Sequence, residues 1–175
     1  MEWIIIKMNR VILIKYGELT TKKDNRNFFI KTLKKNILDK LSSFDFEIQD
    51  DYYRMFIFPK EEDIDQIVNK LQNIFGIHEI VVAIKSEDTS ENNIKSLCLD
   101  VLKEEEFKTF KVVTNRSDKS YPIKSMDMNN ILGGHILKNI DCKVDVHNPD
   151  VLLNVEIRKE AVYIYTKGYK CLGGY

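Results

Sequence analysis

From Val11 to Ile84 the apolar residues alternate between two periods, and that alternation is the tightest constraint the chain places on its own fold. Val11-Ile12-Leu13-Ile14 is a short β-branched run bounded by Tyr16-Gly17, which predicts a buried strand. Phe28, Phe29, Leu33, Ile37 and Leu41 then recur at helical spacing and predict a helix over about 25–41. Phe46 to Phe58 is rich in aromatic and β-branched residues, with Asp50-Asp51 as a turn between two strands and Pro59 ending the second. Glu61, Glu62 and Asp63 favour a helix start. Ile64, Ile67, Val68, Leu71, Ile74 and Phe75 supply its apolar stripe, and Gly76 is placed to cap it. Glu79 to Ile84 closes the series as a strand. The order βαββαβ is that of a ferredoxin-like unit, so the chain is read as α+β with a first domain over residues 1–84. Met1 to Lys7 reads either as a start-site extension or as the lead-in to the first strand.

The second half repeats the logic with a different order. Asp88-Thr89-Ser90 are good capping residues ahead of Ile94, Leu97, Cys98, Val101 and Leu102, which lie on one helix face. Phe110 to Thr114 predicts a strand, Asn115 to Lys124 a polar, basic connection, and Ser125 an N-cap for a helix through Met128, Leu132, Ile136 and Leu137. Lys143 to Val146, Val151 to Ile157 and Ala161 to Thr166 read as three strands, the last two a hairpin around Lys159. Together they predict a second α/β domain over residues 85–175.

No apolar run is long enough for a membrane helix or a signal-peptide core, so the reading is a cytoplasmic protein that does not engage membrane. The 27 Lys and Arg balance the 27 Asp and Glu, which on its face argues against a polyanion partner. The charges are nevertheless segregated. Lys22, Lys23, Arg26, Lys31, Lys34, Lys35 and Lys40 face only Asp24 and Asp39, and Lys108, Lys111, Arg116, Lys119 and Lys124 face only Asp118. A polyanion responds to the local field of a patch, so such segregation can hold phosphates although the sum vanishes.

A search for chemistry returns little. Cys98, Cys142 and Cys171 stand singly, and His78, His135 and His147 form no ligand pair, so no metal site is expected. GxSxG and the phosphate-binding GxxxxGKS/T loop are absent, and no catalytic residue is assigned. Cys98 reads as a core residue and His147-Asn148-Pro149-Asp150 as a structural turn. Gly133-Gly134, inside a helix, is read as permitting close helix packing, with an approach to an RNA backbone as the second reading. The loop Asn115-Arg116-Ser117-Asp118-Lys119-Ser120-Tyr121 differs in kind. Its cations suit phosphate, its hydroxyls phosphate or ribose, and its tyrosine a splayed base, a combination typical of single-stranded RNA contact.

Two sets of segments carry a resemblance. Ile14-Lys15-Tyr16-Gly17-Glu18-Leu19 with Asn25-Arg26-Asn27-Phe28-Phe29 resembles the N-terminal ferredoxin-like domain of tRNA 4-thiouridine sulfurtransferases. Asp118-Lys119-Ser120-Tyr121-Pro122, Ser125-Met126-Asp127-Met128-Asn129, Leu132-Gly133, Val144 to Asp150 and Val155-Glu156-Ile157-Arg158 resemble the family's THUMP domain. Gly168 to Gly174 is similar to the segment leading into its catalytic domain. The resemblance implies a module that holds the tRNA acceptor stem and 3′ CCA end. It would present the uridine at position eight for ATP-dependent thiolation, with a cysteine desulfurase as sulfur donor and a link to thiamine thiazole synthesis. ATP and Mg would be bound by a pyrophosphatase-loop domain whose SGGxDS motif is absent from this sequence. The resemblance therefore implies no enzyme activity and no cofactor for this chain, and a homodimer is allowed. The abrupt Gly173-Gly174-Tyr175 end favours truncation over a protein divided between two chains.

Carried over by motif, the RNA-contact candidates are Lys22, Lys23, Asn25 and Arg26 in the first unit, and Arg116, Lys119, Tyr121 and Ser125 in the second. The cations would neutralise phosphates, while Tyr121 and the helix start at Ser125 would grip ribose, phosphate or base. For Tyr16, Gly17 and Glu18 a tight turn at a strand end is the reading. Two alternatives remain: a stand-alone adaptor recruiting a separate tRNA-modifying subunit, and an acylphosphatase-like enzyme, which the fold can host but for which no glycine-rich cradle is present.

Overall fold

A computed structural model describes residues 10–16, 23–51, 53–166 and 168–173, which divide into two compact units. The expected Met1 to Lys7 lead-in and Lys22 lie outside the described residues.

The first unit comprises residues 10–82 and 168–173. Its elements are β1 (Arg10–Tyr16), α1 (Lys23–Lys40), β2 (Phe46–Asp50), β3 (Arg54–Pro59), a 3-10 turn (Glu61–Asp63), α2 (Ile64–Leu71) and the start of β4 (Ile77–Ser86). The mixed α/β, ferredoxin-like βαββαβ order is thus present. β3 pairs antiparallel with both β1 and β2, giving the sheet order β2-β3-β1-β4. Ile12, Ile14, Met55 and Ile57 meet Leu33, Ile37, Leu41, Ile64, Ile67 and Leu71 in one core. A buried aliphatic side chain contributes roughly 1.5–3 kcal/mol.

Three details differ from the sequence reading. Phe28 is 73% exposed, because the buried stripe of α1 runs through Ile30, Leu33, Ile37 and Leu41 and leaves Phe28 on the opposite side. The α2 helix ends at Leu71, so Phe75 is exposed and Gly76 is not its cap. Gly76 instead takes φ +100° in the turn into β4, where a Cβ would come 3.0 Å from the Phe29 ring. Finally, Gly168–Gly173 forms a further strand, β9, antiparallel to Ile77–Val81. Residues 168–173 thus pair within the first unit, although the sequence reading grouped them with the second.

The second unit, residues 83–166, holds the end of β4, α3 (Glu91–Lys103), β5 (Thr109–Arg116), α4 (Ser125–Asn139), β6 (Lys143–Val144), β7 (Val151–Ile157) and β8 (Val162–Tyr165). The unit's sheet order is β4-β8-β7-β5-β6, with β5 parallel to β6 and β7 and the β7–β8 hairpin antiparallel. Alternation puts Phe110, Val112, Leu153, Val155, Val162 and Ile164 in one core with Ile94, Cys98, Leu102, Met128, Leu132 and Ile136 of α3 and α4. Cys98 is fully buried there, and burial pushes its thiol up to about 12. β6 is two residues long because Asp145 turns the chain, its Oδ1 accepting from the N–H groups of His147 and Asn148 at 3.0 Å. Asp150 Oδ2 then accepts from Lys108 N and Thr109 N, so the His147 to Asp150 segment is a structural turn.

Candidate nucleic-acid interface

In the first unit the expected contact residues sit at the start of α1. Lys23 is its first residue and Asn25 is exposed. Arg26 is half-buried, its guanidinium carbon 5.6 Å from the centre of the Tyr16 ring. Tyr16 is buried at the end of β1, and its hydroxyl donates to the Asp51 carbonyl at 3.1 Å. Burial, and then Asp50 and Asp51, raise the Tyr16 pKa against the opposing pull of Arg26. Beyond this anchor α1 exposes Lys31, Lys35 and Lys40, while Lys34 pairs with Asp50 at 2.9 Å.

In the second unit the loop after β5 is built from inside. Arg116 Nη1 donates to the Tyr121 carbonyl at 2.8 Å, and its Nε is buried without a partner. The Tyr121 ring packs against the core and its hydroxyl donates to the Thr89 carbonyl. Burial, followed by Glu91 and Asp88, raises its pKa. Asp118 accepts from the Ser120 hydroxyl and the Ser120 N–H, which lower its pKa in that order. That turn carries Lys119 outward into solvent. Arg116 and Tyr121 therefore shape the loop, while Lys119 presents its charge on it.

Ser125 is the first residue of α4 and not its N-cap. The extended residue is Lys124, at φ −71° and ψ 154°, and no side chain caps the helix. Its first N–H groups thus keep the partial positive charge that suits an anion, with the lysine beside them. Sequence reasoning missed what lies next to this helix start. A groove of about 710 Å³ runs between α4 and the edge of β5, lined on the helix by Ser125, Met126, Asn129, Asn130, Gly133, Gly134 and Leu137. An alanine methyl at Gly133 or Gly134 would meet no neighbouring element within 4 Å, so close helix packing is not why they are glycine. The signal was present as Asn129-Asn130 and Gly133-Gly134 at four-residue spacing, which puts both pairs on one helix face. Among the described residues no group of three or more His, Cys, Asp or Glu is placed to hold a metal, and no helix is long and apolar enough to cross a membrane.

Family models for the ThiI ferredoxin-like domain and the THUMP domain match residues 11–81 and 88–167. The chain joins a ThiI-type ferredoxin-like domain to a THUMP domain. Curated relatives bear the name probable tRNA sulfurtransferase. One from Oceanobacillus iheyensis is 45% identical over 93% of this chain and 41% of its own length. One from Clostridium acetobutylicum is 42% identical over 95% of this chain and 43% of its own. The chain thus spans less than half the length of these relatives. Among solved structures, PH1313 of Pyrococcus horikoshii superposes with a TM-score of 0.83 at 30% identity, covering 94% of this chain and 56% of that one. A 4-thiouridine synthetase solved as an RNA complex with bound ATP superposes with a TM-score of 0.79 at 32% identity, covering 95% of this chain and 43% of that one. The loop at 117–124, the helix α4 and its groove all lie in the THUMP domain.

Proposed function

We propose that this chain is the RNA-holding part of a protein that forms 4-thiouridine in tRNA. It binds the acceptor stem and the 3′ CCA end and presents the uridine at position eight to a catalytic domain outside the chain. That domain would use ATP and Mg, with sulfur from a cysteine desulfurase, and the whole protein would also serve thiamine thiazole synthesis. A cytoplasmic location and a homodimer belong to the same proposal. The observation that carries it is the likeness, over 95% of this chain, to a 4-thiouridine synthetase solved with RNA. The geometry agrees: α1 exposes a row of lysines, and the THUMP domain presents Lys119 beside an uncapped helix start at Lys124 and Ser125. Lys22, Lys23, Asn25, Arg26, Lys119 and Ser125 are the contact residues in this reading, and Arg116 and Tyr121 hold the loop that displays Lys119.

The test is fluorescence anisotropy of an acceptor minihelix across a salt series. Binding weakens steeply with salt, and Lys119→Ala or Lys124→Ala each reduces the log–log salt slope by about 1. A slope untouched by both substitutions removes the second unit from the interface.

A further inference from the structure

Two exposed rings of the first unit flank a single contact. A Cβ on Gly76 would come 3.0 Å from the Phe29 ring, so α1 and the turn into β4 touch at these two residues. The residue before each turns outward: Phe28 is 73% exposed and Phe75 67%. Gly76, at φ +100°, fixes that turn, since a side chain there would be strained and would press on Phe29. A third ring, Tyr53 at 70% exposure, stands in the β2–β3 turn. That turn lies at the same end of the sheet, where Lys15 faces Arg54 and Tyr16 meets Phe29 edge-on at 6.3 Å. Of the exposed large apolar residues described in this unit, Leu38 alone lies elsewhere, in the last turn of α1. Single exposed apolar residues are ordinary, but three rings brought to one end from three elements form a surface.

RNA is a poor occupant of that surface. A phenylalanine offers nothing to a phosphate, and the paired bases of a stem show no face on which a ring can stack. The course of the chain points to another. β9 runs antiparallel to the start of β4 and sets Gly173 opposite Ile77, two residues along from Phe75. The curated relatives extend for more than half their length outside the stretch that matches. A domain joined to the end of β9 by a short linker meets the rings at an effective concentration on the order of millimolar, so a small contact is enough to hold it. We infer that Phe28 and Phe75, with Tyr53 at their side, are the docking face for the domain that follows β9. This rests on the reading of the chain as the RNA-holding part of a longer protein. The docked surface is apolar and rimmed by carboxylates, because Lys31 and Lys35 follow Phe28 at i+3 and i+7 on the exposed side of α1. Arg26, a contact residue in that reading, lies two positions before Phe28. Docking therefore sets the catalytic domain beside the bound RNA and fixes its distance from the uridine.

The experiment uses the full-length protein, in which the next domain follows β9, and the chain alone as its control. Phe28→Ser with Phe75→Ser is compared with the parent and with Leu38→Ser. In the full-length protein the double substitution releases the domain. Small-angle scattering then gives a larger radius of gyration, and cleavage after Gly173 by a non-specific protease speeds up at least about tenfold, in step with the open population. Leu38→Ser changes neither. In the chain alone the double variant melts with the parent and binds an acceptor minihelix as tightly. Fluorophenylalanine spectra need no substitution of these positions: the Phe28 and Phe75 signals shift between the chain alone and the full-length protein. Coincident signals overturn the inference, and so do a radius and a cleavage rate that the double substitution leaves untouched. A double variant of the chain alone that loses minihelix affinity overturns it by making the rings RNA contacts. A parent chain that dimerises through them in sedimentation overturns it by making a second copy the occupant. A parent chain that binds no minihelix removes the RNA-holding reading, whereas release of the domain by the double substitution would still support the docking face.

Discussion

Four aspartates hold the loops of the second unit by one device, a carboxylate accepting from nearby backbone N–H groups. Asp88 accepts from Ser90, Asp118 from Ser120, Asp145 from Asn148 and His147, and Asp150 from Lys108 and Thr109, and these bonds lower all four pKa values. A lowered folded-state value means the contribution is complete above the ordinary carboxylate range and is lost as pH falls through the folded value. Asp150→Asn is therefore expected to be less stable than the parent at neutral pH, with the gap closing as pH drops below about 4. Urea midpoints across that range check it, and a gap independent of pH would show that charge is not what the carboxylate supplies. The same bonds explain which site residues were legible. The sequence displays Arg116 and Tyr121 as a cation and an aromatic in a polar loop, but not that the loop's own carbonyl and that of Thr89 engage them. Residue type is local, whereas hydrogen-bond partners 5 and 32 residues away are set by the fold.

At the level of elements, α3 and α4 begin in opposite ways. Ser90 is extended and its side chain accepts from Asn93 N, whereas α4 starts after Lys124 with no cap. Ser90→Ala should destabilise the second unit by about 1 kcal/mol, and Lys124→Ser should stabilise it by a similar amount while weakening RNA binding. Thermal melts paired with anisotropy read both, and a Lys124→Ser chain that is more stable yet binds RNA unchanged would separate the helix start from the interface. The elements themselves were readable because periodicity reports which face of a helix or strand is buried. Their ends were not. Whether Lys124 or Ser125 is the extended residue is a backbone dihedral, and the shift of the buried stripe of α1 from Phe28 to Ile30 depends on which neighbours arrive.

For the whole molecule, β9 is the element that no local pattern announced. It joins the first unit because Ile77–Val81 at the start of β4 offers it an antiparallel partner. Removing residues 168–175 is expected to speed hydrogen exchange at 77–81 and leave β5 and β7 protected as before. Unchanged protection at 77–81 would mean that β9 contributes nothing to that sheet edge. The sequence by itself determined the two α/β units, their helices and most of their strands, since the burial of one face leaves a period that any single segment carries. It also determined the family, through motifs in fixed order. Only the tertiary structure decided that β9 returns to the first unit, that Arg116 and Tyr121 are held internally, and that Gly133, Gly134 and Thr114 open on one groove. Each of these is a relation between segments far apart in the chain, and such a relation exists only once the sheets have formed.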